Sequence, residues 1–170
     1  VNKKSFLIKS KSSFNKDLNN RRATSERVKI FQKHKVNYLG IEAVGQLVNL
    51  TNDFFWANKV KNAKVIHADL FDLKKVKSLI EKTKKPRILF MFKVVDSLEA
   101  LERDYTKRLL EKIVPLAERV VISFATESWT RRKKFYVQRT WLIDFIRENW
   151  EFTDDFTLGG ERYLVFEKED

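Results

Sequence analysis

The sequence predicts an α/β fold: a mainly parallel sheet that closes with an antiparallel hairpin. Three observations carry this reading. Arg87-Ile-Leu-Phe-Met-Phe92 and Arg119-Val-Val-Ile-Ser-Phe-Ala125 are apolar runs without alternation, the pattern of parallel strands buried on both faces. Stretches with helical spacing separate the strand-like runs, and such alternation builds a parallel sheet covered by helices. Residues 150–157 and 162–167 read as strands flanking Leu158-Gly-Gly-Glu161, a short connection of the hairpin type.

Each element has its own warrant. Residues 1–35 are basic and polar and form an N-terminal extension, helical in pattern over 25–33. Residues 36–41 read as a short strand. Residues 44–58 follow as a helix, with Val44, Leu47, Val48, Thr51, Phe54 and Phe55 on one face. Residues 63–68 form the next strand. Asp69-Leu-Phe-Asp72 is a polar turn whose Asp72 can cap a helix over 73–83. After the strand at 87–92, a long helix over 98–117 presents Leu98, Leu101, Tyr105, Leu109, Ile113 and Leu116 at spacings of three and four. The strand at 119–125 leads to a helix over 139–149 with Trp141, Leu142, Phe145 and Ile146 inward. No linker composition divides residues 36–170, which are expected to form one domain. There is no internal repeat.

A chain of 170 residues with 43% hydrophobic content can bury a real core. Four Gly and two Pro argue against long low-complexity tracts. The absence of Cys excludes disulfides and cysteine-ligated metal sites. The apolar run at Phe6-Leu-Ile8 is too short for a signal peptide, and no window approaches a membrane span. A cytoplasmic protein with no membrane partner is expected.

The charge is informative. Lys and Arg number 35 against 23 Asp and Glu, a net +12. A Lys-rich genome could produce this without any binding role, but the cations cluster. Residues 1–35 carry Arg21, Arg22, Arg27 and eight lysines against Asp17 and Glu26 alone. Arg131-Arg-Lys-Lys134 lies among Trp129, Phe135 and Tyr136. Cations interleaved with aromatics suit phosphate contact and base stacking, so a nucleic acid is the expected partner.

Candidate chemistry collects where the predicted strands end, since ligands of open α/β sheets bind there. Glu42 follows the strand Tyr38-Leu-Gly-Ile41 and is placed to accept hydrogen bonds from ribose hydroxyls. Asp69 repeats the arrangement after Val65-Ile-His-Ala68 and could hold the exocyclic amine of an adenine. Acids at strand ends also commonly cap the next helix, but two in succession make a stronger case than one. Lys93, Asp96 and Ser97 crown the next strand as cofactor or target-base contacts, while Asp96 or Ser97 could equally cap the following helix. Ser123, Thr126, Glu127 and Ser128 crown the strand after that. His67 has no partner at ligand spacing and reads as a packed, hydrogen-bonded strand residue. His34 lies in the basic tail. There is no P-loop, no supported Ser-His-Asp set and no metal-ligand cluster.

With these residues in view, the chain resembles the class I, S-adenosylmethionine-dependent methyltransferases. More narrowly, it resembles the small-subunit rRNA guanine-N7 methyltransferases of aminoglycoside resistance and their archaeal relatives. The carriers are Ala23-Thr-Ser-Glu-Arg-Val28, Tyr38-Leu-Gly-Ile-Glu42, Ala68-Asp-Leu-Phe-Asp72, Leu89-Phe-Met-Phe-Lys-Val-Val-Asp-Ser-Leu-Glu99, Val121-Ile-Ser-Phe-Ala-Thr126 and Gly159-Gly-Glu-Arg-Tyr-Leu-Val-Phe166. The resemblance implies a Rossmann-like sheet and S-adenosylmethionine as cofactor. It implies Glu42 at the ribose, Asp69 and Leu70 beside the adenine, and Lys93, Asp96 and Ser97 at the mouth where the methyl group is transferred.

The sequence departs from that family at one place. The family's first strand ends in a loop of the type D-x-G-C-G, where close approach of backbone to cofactor needs glycine. Nothing between Val28 and Val36 supplies that strand or loop. Either the element is lost, or a segment is missing from this sequence, or Phe6-Leu-Ile8 takes part of its place. The expectation is methyl transfer to a base nitrogen of ribosomal RNA. The alternative is a non-enzymatic RNA-binding module on a degenerate methyltransferase fold.

Overall fold

The computed structural model describes residues 36–126 and 139–168, together with the backbone of residues 5–9. Seven strands form one sheet: β1 (Ser5–Lys9), β2 (Asn37–Glu42), β3 (Ala63–His67), β4 (Arg87–Phe92), β5 (Arg119–Ala125), β6 (Glu151–Leu158) and β7 (Glu161–Glu167). Their order across the sheet is β3-β2-β1-β4-β5-β7-β6. Strands β1 to β5 are parallel, and β7 lies antiparallel between β5 and β6. Among the described residues the helices are α1 (Gly45–Ala57), α2 (Leu73–Glu81), α3 (Val95–Leu101), α4 (Tyr105–Ile113) and α5 (Thr140–Asn149).

This sheet answers the question of the first strand. Ser5–Lys9 occupies the centre, with Phe6 opposite Tyr38 on one side and Ile88 on the other. The short apolar run near the N-terminus is therefore the first strand. From β1 the chain winds outward to β3, returns, and continues through β4. The direction of winding reverses between β1 and β4, the place in an open α/β sheet where a crevice opens at the strands' carboxyl ends.

The main core joins β2, β4, β5 and β7 to α2, α4 and α5, with Leu89, Met91, Ile122, Leu109, Ile146 and Phe166 all at 1% exposure or less. A smaller cluster of Val48, Phe55, Val60 and Val65 packs α1 on β3. In β4 the residues alternate: Arg87, Leu89 and Met91 are buried, while Ile88, Phe90 and Phe92 are half-buried. The unbroken apolar run thus marks one fully buried face and one partly covered face.

The helix expected over 98–117 is two helices. Glu99 turns its carboxylate back, accepting from the N–H groups of Asp104 and Thr106 at 2.8 Å each. It caps the start of α4 in place of a continuing turn. Asp104 takes a left-handed conformation at φ 60°, and the chain changes direction there. Leu101, expected inward, is consequently 76% exposed. Pro115, which has no N–H to donate, ends α4 in a 3₁₀ turn at Val114–Leu116.

Two further features fix the sheet. Asn52 on α1 clasps the outer edge of β3: its Nδ2 donates to Val65 O at 2.9 Å, and Val65 N–H donates to its Oδ1 at 2.8 Å. The β6–β7 connection is Gly159-Gly160, with φ of 60° and 77°. Two consecutive positive values make the tight hairpin turn that glycine adopts without strain.

Candidate functional site

Glu42 ends β2 and is half-buried; its Oε1 accepts from the Val44 N–H at 2.9 Å. That bond fixes the carboxylate at the carboxyl edge of the sheet. The residues leading to it are shaped for the position. A Cβ on Gly40 would lie 3.2 Å from the Tyr38 ring and hydroxyl and 3.0 Å from Val65 Cγ2, so Tyr38 crosses the strand where glycine leaves room. Burial, and then the Glu42 charge, push the Tyr38 phenol up to about 12.

Next to Glu42, β3 ends at His67, its register partner. His67 is exposed, unlike the packed residue expected, and is hydrogen-bonded as expected, its Nε2 lying 3.0 Å from Ala43 O. Asp69 is exposed just beyond, and its Oδ1 accepts from Phe71 N–H at 2.9 Å. Asp72 caps α2 as expected, accepting from Lys75 N–H at 3.0 Å. The turn between Asp69 and Asp72 is anchored from α4. Tyr105 donates its hydroxyl to Leu70 O at 2.6 Å and stacks on Phe71 at 4.1 Å. Burial raises the Tyr105 phenol to about 12, against the opposing pull of the Arg108 guanidinium.

At the end of β4, Lys93 adopts φ 56° and donates its N–H to Ser123 O at 3.0 Å. Its ammonium meets Glu161 at 2.6 Å. Ser123, fully buried, donates its Oγ to the other oxygen of Glu161 at 3.0 Å. Tyr163 adds a third interaction: burial first, then the Glu161 charge and its hydrogen bond, hold the Tyr163 phenol above its ordinary range. Glu161 is thus the hub linking β4, β5 and β7. Thr126 N–H and Oγ1 both bond Gly160 O at 3.0 Å, tying the hairpin turn to the end of β5.

Asp96 pairs with Arg139 at the start of α5. It is not the cap of the helix it opens, because the N-cap residue is Val94 and no side chain caps that end. Ser97 is exposed on α3 and likewise caps nothing. Arg139 lies over the Phe124 ring at 6.0 Å, in a left-handed conformation at φ 45°. Burial lowers its pKa, and its Nε is buried without a hydrogen-bond partner among the described residues.

The structure therefore brings Glu42, Asp69, Leu70, Lys93, Asp96 and Ser97 to one edge of the sheet. It adds Glu161 and Arg139, which sequence reasoning missed. Glu161 could have been suspected as the first strand residue after the Gly-Gly turn, since register then places it beside the end of β5. Arg21, Arg22, Arg27, Arg131, Arg132, Lys133 and Lys134 lie outside the described residues, as do Glu127, Ser128 and His34. Among the described residues no acidic, His or Cys cluster could hold a metal ion. No helix there is long and apolar enough to cross a membrane.

The strand order, the central β1 and the antiparallel β7 define the fold of the class I methyltransferases. Solved structures agree. The 16S rRNA methylase ArmA matches with a TM-score of 0.60 at 13% identity, covering 98% of this chain and 74% of ArmA. The 16S rRNA methyltransferase RmtF, solved with S-adenosyl-L-homocysteine, matches with a TM-score of 0.64 at 16% identity, over 97% of this chain and 55% of RmtF. An O-methyltransferase family protein from Burkholderia thailandensis matches with a TM-score of 0.64 at 8% identity, over 99% of this chain and 51% of its own. The chain thus spans about half the length of two of these and three quarters of the third. No protein-family model and no curated protein sequence matches it.

Fitting S-adenosylmethionine to these residues gives a divided result. Two carboxylates at the ends of neighbouring strands suit a ribose and an adenine amine, and Leu70, next to the second, is an apolar residue partly buried against the core. The methionine side differs. The four glycines are Gly40, Gly45, Gly159 and Gly160, and Ser10-Lys-Ser-Ser13, which follows β1, has none. The central strand is present, and the glycine loop expected to follow it is not.

Proposed function

We propose that the chain carries the catalytic fold of an S-adenosylmethionine-dependent methyltransferase acting on a base nitrogen of ribosomal RNA. The observation that carries this is the presence of two carboxylates, Glu42 at the end of β2 and Asp69 just past the end of β3, on neighbouring strands beside the switch point of the sheet. Glu42 would accept the ribose hydroxyls and Asp69 the adenine amine, with Leu70 against the ring. When bound, the cofactor supplies an electrophilic methyl group. A base nitrogen such as guanine N7 has its lone pair in the ring plane, so no proton need be removed before it attacks. Positioning and a fixed electrostatic environment then account for the catalysis. Lys93, Asp96 and Ser97 line the mouth. Lys93, fixed by Glu161, and Asp96, fixed by Arg139, would orient the target base. Arg21, Arg22, Arg27 and the 131–134 cluster would contact RNA phosphates. The ArmA and RmtF likenesses support the RNA substrate.

One observation favours the second reading, a non-enzymatic RNA-binding module. The sequence that follows β1, Ser10-Lys-Ser-Ser13, contains no glycine, and close approach of backbone to the cofactor needs one. Calorimetry with S-adenosylmethionine decides between them. Saturable binding that Glu42→Ala and Asp69→Ala each weaken by about 1.5–3 kcal/mol is the expected outcome. Binding unchanged in both folded variants would remove these carboxylates from the site. No binding at all, with RNA still bound, would establish the module reading.

A further inference from the structure

At the opposite, amino-terminal end of the sheet, two clefts of about 520 and 690 Å³ flank β3. One lies beside the end of α1 and the other beside the end of α2. They share Lys61 and Ala63, so they adjoin at the edge of the sheet and are together called the groove. Lys59, Lys61, Lys64, Lys82 and Lys84 line it, and no acidic residue does. All five are exposed. Among the described residues no carboxylate forms a salt bridge with Lys59, Lys61, Lys64 or Lys82; the nearby Glu81 and Glu118 pair with Lys77 and Lys85. At one end stands Trp56, 85% exposed.

We propose that this groove is a second RNA-contacting surface, in which the lysines meet phosphates and Trp56 stacks on an unpaired base. Cations that follow helix C-termini also offset the helix dipole, and this accounts for Lys59 and Lys82. It does not account for Lys64, which lies on a strand, or for an indole left in water. Phosphate-binding lysines around an exposed aromatic ring are the elements of sequence-tolerant RNA binding. Asn52 occupies the backbone groups of Val65, so a peptide strand cannot pair at that position on the edge. The amino end of β3, where Lys61 and Ala63 join the two clefts, lies about 13 Å from the crest of Glu42 and Asp69 at a rise of some 3.3 Å per residue. An RNA that spans the length of β3 can therefore touch both ends of the sheet. The proposal rests on RNA being the substrate.

The test uses the full chain and an end-labelled small-subunit rRNA transcript, with binding followed by anisotropy over a range of salt. S-adenosylmethionine binding is measured alongside by calorimetry. A variant with Lys59, Lys61, Lys64 and Lys82 all changed to Gln should lose about tenfold or more in RNA affinity. Its salt slope should become shallower by about 0.7–0.9 for each phosphate that is no longer neutralised. Trp56→Ala should lose at least about fivefold. Cofactor binding should not change in either, which separates this surface from the site at the strand ends. Wild-type affinity and slope in the quadruple variant would overturn the groove while leaving the methyltransferase reading intact. Failure of the wild-type chain to bind RNA would overturn the groove and the RNA substrate together. Binding of polyglutamate but not RNA would overturn it in favour of an acidic protein partner.

Discussion

Arg87 opens β4, a cation at the head of an apolar run, and is only 9% exposed. Its guanidinium makes three bonds to carbonyls: Nε to Thr83 at 2.9 Å, Nη1 to Leu116 at 2.8 Å and Nη2 to Glu81 at 2.8 Å. Two of these acceptors lie at the end of α2 and one in the 3₁₀ turn after α4. The residue therefore joins two helices to the base of the sheet, with its charge where a helix C-terminus favours a cation. Arg87→Met keeps the apolar stem and strands three acceptors. It should cost roughly 3 kcal/mol, read as a lower urea midpoint with an unchanged slope. Arg87→Lys should recover only part of this, because an ammonium lacks the planar fork. A Met variant as stable as wild type would show that water serves those carbonyls equally well.

At the scale of elements, the break between α3 and α4 is held by the Glu99 carboxylate. Glu99→Ala should destabilise the protein by about 0.5–2 kcal/mol, the usual cost of losing a helix cap, and Glu99→Gln should cost less because it keeps an acceptor. Thermal melts of the two variants check the order; equal losses would mean that the charge, and not the acceptor, holds the turn. This break also shows what the sequence conceals. Leu98, Tyr105, Leu109 and Ile113 keep helical spacing across the gap, so periodicity alone runs the two helices together. The strands were easier to read, because a buried strand needs several adjacent apolar residues and has few alternatives. The positions of Glu42, Asp69, Lys93 and Asp96 were legible for the same reason: each lies at, or within four residues of, the carboxyl end of a strand. Glu161 and Arg139 were not, because their partners Lys93 and Asp96 lie far away in the chain, and only the register of β5 against β7 and the placement of α5 bring them together. The first strand was the hardest to place. Five residues in a basic segment carry little pattern, and their role is set by the gap between β2 and β4 that they fill.

At the scale of the molecule, the sheet is a directional object. Its carboxyl end gathers carboxylates and fixed ion pairs, and its amino end gathers lysines on the groove around β3. Its two lateral edges differ, and both are blunted. On the far side, β6 is broken by a bulge between Phe152 and Asp154 and carries exposed Glu151 and Asp154. On the near side, β3 has neither bulge nor carboxylate, and only the Asn52 clasp occupies Val65. An open strand edge is a template on which another chain can add itself. The clasp therefore bears on colloidal behaviour as well as on local structure. Asn52→Leu, which keeps the bulk and removes the amide, should leave the far edge inert and turn the near edge adhesive. Light scattering during refolding should then rise with protein concentration. If Asn52→Leu stays as monodisperse as wild type, the lysines beside the strand already keep neighbouring copies apart by repulsion, and scattering should appear only when salt screens them.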